Sequence, residues 1–284
     1  MLKSILVASD LSSRSKFAVQ RAVQLAEGSG AVLCILHVVE DNLPEEGSRQ
    51  EIQAAEDYLK DQAAGFGKPP ACHVTVATGR AFQVIEEEAS AREADLIVMG
   101  AHRRQPLRDL FVGTTIERVI RTARRPVLMA NSKTGERWRK VFIATDMSEA
   151  SGQAARRAHA LGMLENAHVT FVHGYAPITR QMMIHAGIPA ERIHEEAERE
   201  LQSKRGELGQ FIEGLNLRGL KYNTRIIEGV GADAIIECVE QAKPDLLVIG
   251  TRGLSGVKRL FLGSVAQQLM GCVEVDVLAV PPQA

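Results

Sequence analysis

The segment Gly250-Thr251-Arg252-Gly253-Leu254-Ser255-Gly256-Val257-Lys258-Arg259-Leu260-Phe261-Leu262-Gly263-Ser264-Val265 has the spacing G-x2-G-x9-G-S. Glycines let backbone N–H groups come close to an anion, and a Gly-Ser pair opening a helix aims the terminal amides and the helix dipole at it. The Ser264 hydroxyl adds a donor, and Arg252 or Lys258 supplies a countercharge. That chemistry is the holding of a phosphate, although on spacing alone the loop reads equally well as a turn. An earlier segment, running from Gly100 through Arg103 to Gly113-Thr114, has the related spacing G-x2-R-x9-G-T. Arg103 denies the backbone the close approach that a glycine allows, while its guanidinium is itself able to hold phosphate.

Two carboxylates and two histidines recur with these loops. Asp10 and Asp146 follow the apolar runs Ile5-Leu6-Val7-Ala8-Ser9 and Phe142-Ile143-Ala144-Thr145. An aspartate at such a place caps the helix that follows or meets a ligand, and the two uses are compatible. His37 and His173 end apolar runs and read as histidines satisfied within a core. His185 and His194, with Glu195 and Glu196 nearby, lack zinc-ligand spacing, so no metal is assigned to them. Gly229-Val230-Gly231-Ala232-Asp233-Ala234 imitates the dinucleotide fingerprint, but it follows a third strand rather than a first. Neither a G-x4-GK-[ST] loop nor a nucleophile elbow occurs in the sequence.

A repeated unit must position these groups. Lys3 to Asp10 returns as Lys140 to Asp146 in pattern, with Asp10 and His37 matched by Asp146 and His173, 136 residues on. Asp95-Leu96-Ile97-Val98-Met99-Gly100 returns as Asp245-Leu246-Leu247-Val248-Ile249-Gly250, and Gly79 and Gly113 return as Gly229 and Gly263, 150 residues on. One order of matches over nearly the whole chain marks a duplication. The growth of the offset from 136 to 150 places a 14-residue insertion between His173 and Gly229, where Tyr175 to Ile193 reads as a longer connection entering a helix. Met182, Met183 and Ile184 in that segment could wall a site for an apolar ligand, although Met-rich stretches more commonly cover a core.

Within each copy, β-branched runs alternate with longer helical patterns, the signature of βαβ units. Strands are expected near 4–9, 32–38, 73–77, 95–99 and 126–130, with helices near 14–28, 48–64, 81–93 and 113–123. The second copy repeats the strands near 140–145, 168–173, 222–227, 245–249 and 275–280. The expected fold class is α/β, with two tandem, open, doubly wound parallel-sheet domains at 1–133 and 138–284 and a short polar join at Asn131 to Glu136. Ligands of such sheets lie beyond the carboxyl ends of the strands, where Asp10, Val38 and Gly100 fall in one copy and Asp146, Gly174 and Gly250 in the other.

Composition sets bounds on partners. A length of 284 residues suffices for two cores, and 45% hydrophobic with only 4% aromatic residues suits the aliphatic interior of buried parallel strands. The formal charge of -1 disfavours roles that coat nucleic acid or anionic membrane, and no apolar run approaches the ~20 residues of a membrane span. The four cysteines stand singly, without a CxxC pair, and read as thiols of a reducing compartment, so the chain is expected to be soluble and cytoplasmic.

The strand-one aspartate, the strand-two histidine and the glycine loop, in that order and in duplicate, resemble the universal stress protein family in its tandem form, over essentially the whole chain. The resemblance implies a Rossmann-like, ATP-binding protein of the stress response. Carried over residue by residue, it implies a second-copy nucleotide site of Ala144, Thr145, Asp146, Gly174, Ile249, Gly250, Arg252, Gly253, Gly263, Ser264 and Val265. Asp146 would face the ribose or a metal, the Gly174 backbone the adenine, and the loop glycines with Ser264 and Val265 the ribose and phosphates. A weaker first-copy site would comprise Asp10, Val38, Gly100, Arg103, Gly113 and Thr114. Gly174 stands where the family often has Val, as at Val38, a change of little consequence if backbone holds the adenine. The implied cofactor is ATP, with Mg²⁺ as an option, and the implied partners are an adenine nucleotide and an unknown protein. Pairing the last strands, Val127 to Ala130 and Val275 to Val280, would cover two sheet edges and make the chain an intrachain pseudo-dimer, with a homodimer of the whole chain as a further option. Three functions follow in order of preference: a nucleotide-binding regulator, a slow ATP hydrolase dependent on Asp146, and a binding module whose insertion at 175–193 takes a non-nucleotide apolar ligand.

Overall fold

The computed structural model of the chain describes residues 1–39, 45–101, 114–131, 137–229, 231–252 and 262–282. Alternation of apolar runs with amphipathic segments builds the first half as β1 (Ser4–Ser9), α1 (Ser13–Ser29), β2 (Val32–Val39), α2 (Glu45–Phe66), β3 (Ala71–Thr78), α3 (Ala81–Ala91), β4 (Leu96–Gly100), α4 (Thr115–Thr122) and β5 (Val127–Ala130). The second half repeats it as β6 (Lys140–Ala144), α5 (Glu149–Ala160), β7 (His168–Tyr175), α6 (Ile178–His185), α7 (Ala190–Gly214), β8 (Tyr222–Glu228), α8 (Gly231–Ala242), β9 (Leu246–Gly250), α9 (Ser264–Cys272) and β10 (Asp276–Val280). All ten strands expected from the sequence form, shifted by a residue or two at their ends. The insertion differs from its expectation, because it makes a helix of its own, α6, packed on α7. Of α7 only Leu208 and Ile212, near its carboxyl end, are buried.

The ten strands form one sheet in the order β3-β2-β1-β4-β5-β10-β9-β6-β7-β8. Pairing is parallel within each half and antiparallel at the β5–β10 join. Leu128 pairs with Leu278 there, and Val277 with Met129 as Ala279 with Val127. Leu128 and Leu278 are themselves counterparts in the 150-residue offset, so the contact is self-complementary in the manner of an isologous dimer. The last strands, which would be edges of separate domains, thus cover each other. Because the halves run in opposite directions, the carboxyl ends of their strands lie at opposite margins of the sheet.

Each face of the sheet is buried under a layer that crosses both halves. One layer joins Val19, Val23 and Leu59 of the first half to Ala154, Ala158, Phe171 and Leu208 of the second. The other joins Ile85, Ile116 and Val119 to Ile235, Ala266 and Leu269. A polar lock sits at the join. Asp276, fully buried at the start of β10, lies 3.0 Å from Arg21 Nε of α1, and Trp138 Nε1 donates to it at 2.9 Å. The Asn131 amide donates to its other oxygen at 2.9 Å, and the Arg21 guanidinium stacks 5.1 Å from the Trp138 ring.

The cysteines are all thiols, with Cys34 and Cys238 buried and Cys72 and Cys272 exposed. Burial pushes the Cys34, Cys72 and Cys238 thiols above their ordinary range. A disulfide reagent at neutral pH is expected to modify Cys72 and Cys272, the two exposed thiols. Cys34 and Cys238 should react only after denaturation, a sequence that mass spectrometry of labelled peptides resolves.

Candidate functional site

The same turn ends the first strand of both halves. In the second, Met147 adopts a left-handed φ of 60°, and the Ser148 amide donates to Asp146 Oδ1 at 3.0 Å. Ser148, not Asp146, caps α5, its hydroxyl accepting from the Ser151 amide at 3.3 Å. In the first half Leu11, Asp10, Ser12 and Ser15 reproduce this, with φ of 59° and the same two distances. The cap role open to the aspartates is therefore taken by the serines two residues on, whose shorter side chains reach the amides of the first turn. The histidines pin the turn from the neighbouring strand: His173 Nδ1 lies 2.8 Å from the Thr145 carbonyl oxygen, and His37 Nδ1 2.8 Å from that of Ser9. Both are structural, as their place on apolar runs suggested.

Glycine is needed where the end of β4 or β9 meets the helix that follows the first strand of its half, α1 or α5. A Cβ on Gly250 would stand 3.1 Å from the Ala150 carbonyl oxygen, and one on Gly100 would stand 2.9 Å from the Arg14 carbonyl carbon and oxygen. The ends of the second-half loop are then tied together, with the Thr251 amide donating to the Val280 carbonyl at 3.0 Å and the Gly263 amide to the Thr251 carbonyl at 2.9 Å. Gly263 caps α9 with no side-chain cap hydrogen bond, and the first amides of a helix have no partner within the helix itself.

These elements enclose a cavity of about 280 Å³ lined by Ala144, Thr145, Asp146, Gly174, Ile249, Gly250, Arg252, Gly263, Ser264 and Val265. Ten of the residues expected in the second site thus surround one space, and Gly253 lies outside the described residues. Ser151, Ile235, Ala266 and Leu269 also line it and were not singled out in the sequence, as does Gly231, which the sequence offered only within the imitation of a dinucleotide fingerprint. Ile235 and Leu269 carry a legible signal, because each lies one turn into a helix that starts at the carboxyl margin of the sheet. Among the described residues, none of 175–193 lines this cavity, and Met182 and Ile184 are exposed on α6 instead.

A second cavity, about 250 Å³, lies at the opposite margin and is lined by Asp10, Val38, Gly100 and Thr114, with Arg14 and Ser15 among its other walls. Arg103 and Gly113 lie outside the described residues. Val38 and Gly174 occupy matching places but are not interchangeable in both directions: a Cβ on Gly174 would stand 2.9 Å from the Gly229 carbonyl oxygen. The turn after β8 closes against β7, so the glycine is required by packing.

The universal stress protein family model matches residues 1–131 and 137–281. Universal stress protein MJ0531 of Methanocaldococcus jannaschii is 32% identical over 156 residues, spanning 54% of this chain and 89% of that protein. Universal stress protein E of Salmonella typhi is 24% identical over 219 residues, spanning 72% of this chain and 66% of that protein. The crystal structure of a universal stress protein from Archaeoglobus fulgidus superposes with a TM-score of 0.70 at 16% identity, covering 99% of this chain and 98% of that one, a likeness of fold.

Proposed function

Because the chain belongs to the universal stress protein family, we propose that it is an adenine-nucleotide-binding regulator of a stress response that takes ATP in its second domain. The domains are assigned as 1–133 and 138–284, the second carrying the complete glycine loop. The observation that carries the reading is the Gly263 cap: α9 opens onto the cavity with neither a capping side chain nor an acidic residue in its first turn. Such a helix end favours phosphate, with Ser264 and Arg252 beside it. Ile235, Ile249 and Leu269 offer the apolar surface that a base needs, and Asp146 the acceptor that ribose hydroxyls need. Mg²⁺ accompanying the triphosphate would meet Asp146, the carboxylate among the described lining residues.

Regulation rather than turnover suits this set. A hydrolase needs a base free to orient water, whereas Asp146, the carboxylate among the described lining residues, would be taken up by ribose or Mg²⁺. Occupancy would then act through partner binding by the loaded domain. Among the described residues no helix is long and apolar enough to cross a membrane.

Titration calorimetry of the nucleotide-stripped chain with Mg-ATP tests the reading. Wild type is expected to bind a single equivalent, and Gln267→Glu, which puts a carboxylate in the first turns of α9, should weaken it about 2- to 5-fold through the helix dipole. Absence of binding by wild type overturns the function; an unchanged affinity in the variant detaches the phosphates from α9.

A further inference from the structure

The two cavities share a backbone plan but differ at the helix end that borders each and at one residue of the strand-one wall. At the helix end of the first, Thr114 Oγ1 accepts from the Glu117 amide at 3.2 Å and so closes the N-terminus of α4. Glu117, only 3% exposed, adds a carboxylate to the first turn, held 3.2 Å from Arg121. The counterpart positions are Ser264 and Gln267, in a helix whose cap uses no side chain. A polyphosphate reaching α4 would meet a terminal amide already bonded to Thr114.

A cation stands instead on the strand-one wall. Arg14 lines the first cavity at the position where the second half has Ala150. Its backbone is packed tightly against Gly100, so the side chain extends from a fixed root. Arg14 Nη2 lies 4.0 Å from Asp10 Oδ2, beyond hydrogen-bond length, and the side chain is 40% exposed. A guanidinium has five donors and readily serves two acceptors. Desolvation raises the Asp10 carboxyl, but hydrogen bonds from Ser12 and Ser15 and the charge of Arg14 outweigh it and hold the group below its ordinary range. It is therefore an acceptor at neutral pH.

We propose that the first cavity is a separate ligand site for a nucleoside-sized molecule with one compact anionic group, such as a single phosphate. Arg14 binds the anion and Asp10 accepts from the ligand's hydroxyls. The inference rests on the ATP reading of the second domain only for the kinship of the two cavities. The chain then carries sites of opposite preference at opposite margins of one sheet, triphosphate at α9 and monophosphate beside Arg14.

Photoaffinity labelling of the full chain with 8-azido-AMP and with 8-azido-ATP, followed by peptide mapping, separates the sites. The monophosphate is expected to label first-half peptides and the triphosphate second-half peptides. Arg14→Ala, which installs the residue found at Ala150, should lower first-half labelling by roughly tenfold or more, the cost of a charged hydrogen bond, and leave second-half labelling unchanged. Arg14→Lys should restore part of it. The proposal is overturned if the monophosphate labels only the second half, if Arg14→Ala leaves first-half labelling unchanged, or if the first half takes both probes equally. Loss of second-half ATP labelling with first-half labelling intact would instead overturn the function proposed for the second domain.

Discussion

Replacing Asp276 with alanine is expected to destabilise the protein by about 3–5 kcal/mol, the usual cost of breaking a buried ion pair by removing one partner. The carboxylate is fully buried and receives Arg21, the Trp138 indole and the Asn131 amide. Arg21 itself is only 5% exposed, so its charge would stay in the interior after the carboxylate is removed. Because Arg21 belongs to the first half and Asp276 to the last strand, the loss falls on the join between halves. Urea unfolding would read it as a fall in midpoint. The double variant Arg21→Met with Asp276→Leu should recover much of the loss, since an apolar pair of similar volume replaces the charges. If Asp276→Ala unfolds within about 1 kcal/mol of wild type, a range typical of exposed pairs, the lock does not hold the halves together.

Gly174→Val is expected to have the second largest effect, although Val is the residue that the first half tolerates at Val38. A Cβ there meets the Gly229 carbonyl at 2.9 Å, which is backbone and yields only if the turn after β8 moves. Gly229 does not easily give way, because its amide is tied to the Tyr175 carbonyl of β7 at 2.8 Å. Overpacking of this kind costs about 1–3 kcal/mol, and the displaced turn borders the second-half cavity, which Gly231 lines. The variant should therefore lose both stability in urea and Mg-ATP heat in calorimetry. Val38→Gly should retain the fold, at the smaller cost of a flexible residue near a strand end. Equal stability of wild type and Gly174→Val would show that the turn adapts, and that the packing reading of this glycine is wrong.

By itself, the sequence determined the duplication, the α/β class and the succession of strands and helices along each half. Such features are written in local periodicity and in residues that recur at fixed offsets, as Asp10 with Asp146 and Gly100 with Gly250 do. It also located the second-half cavity, because glycines and a strand-end aspartate mark backbone turns that any neighbour must accommodate. Tertiary structure decided the rest. Serines rather than aspartates cap the helices, because the left-handed turn at Leu11 and Met147 sets which side chain reaches the amides. The insertion became a separate helix, and none of its described residues lines the cavity. The Arg21–Asp276 lock, the closed end of α4 and the place of Arg14 beside Asp10 depend on which helix face meets which strand end. Spacing along the chain fixes a residue's local conformation. Its charge acquires meaning only when folding removes water and brings a distant partner within bonding distance.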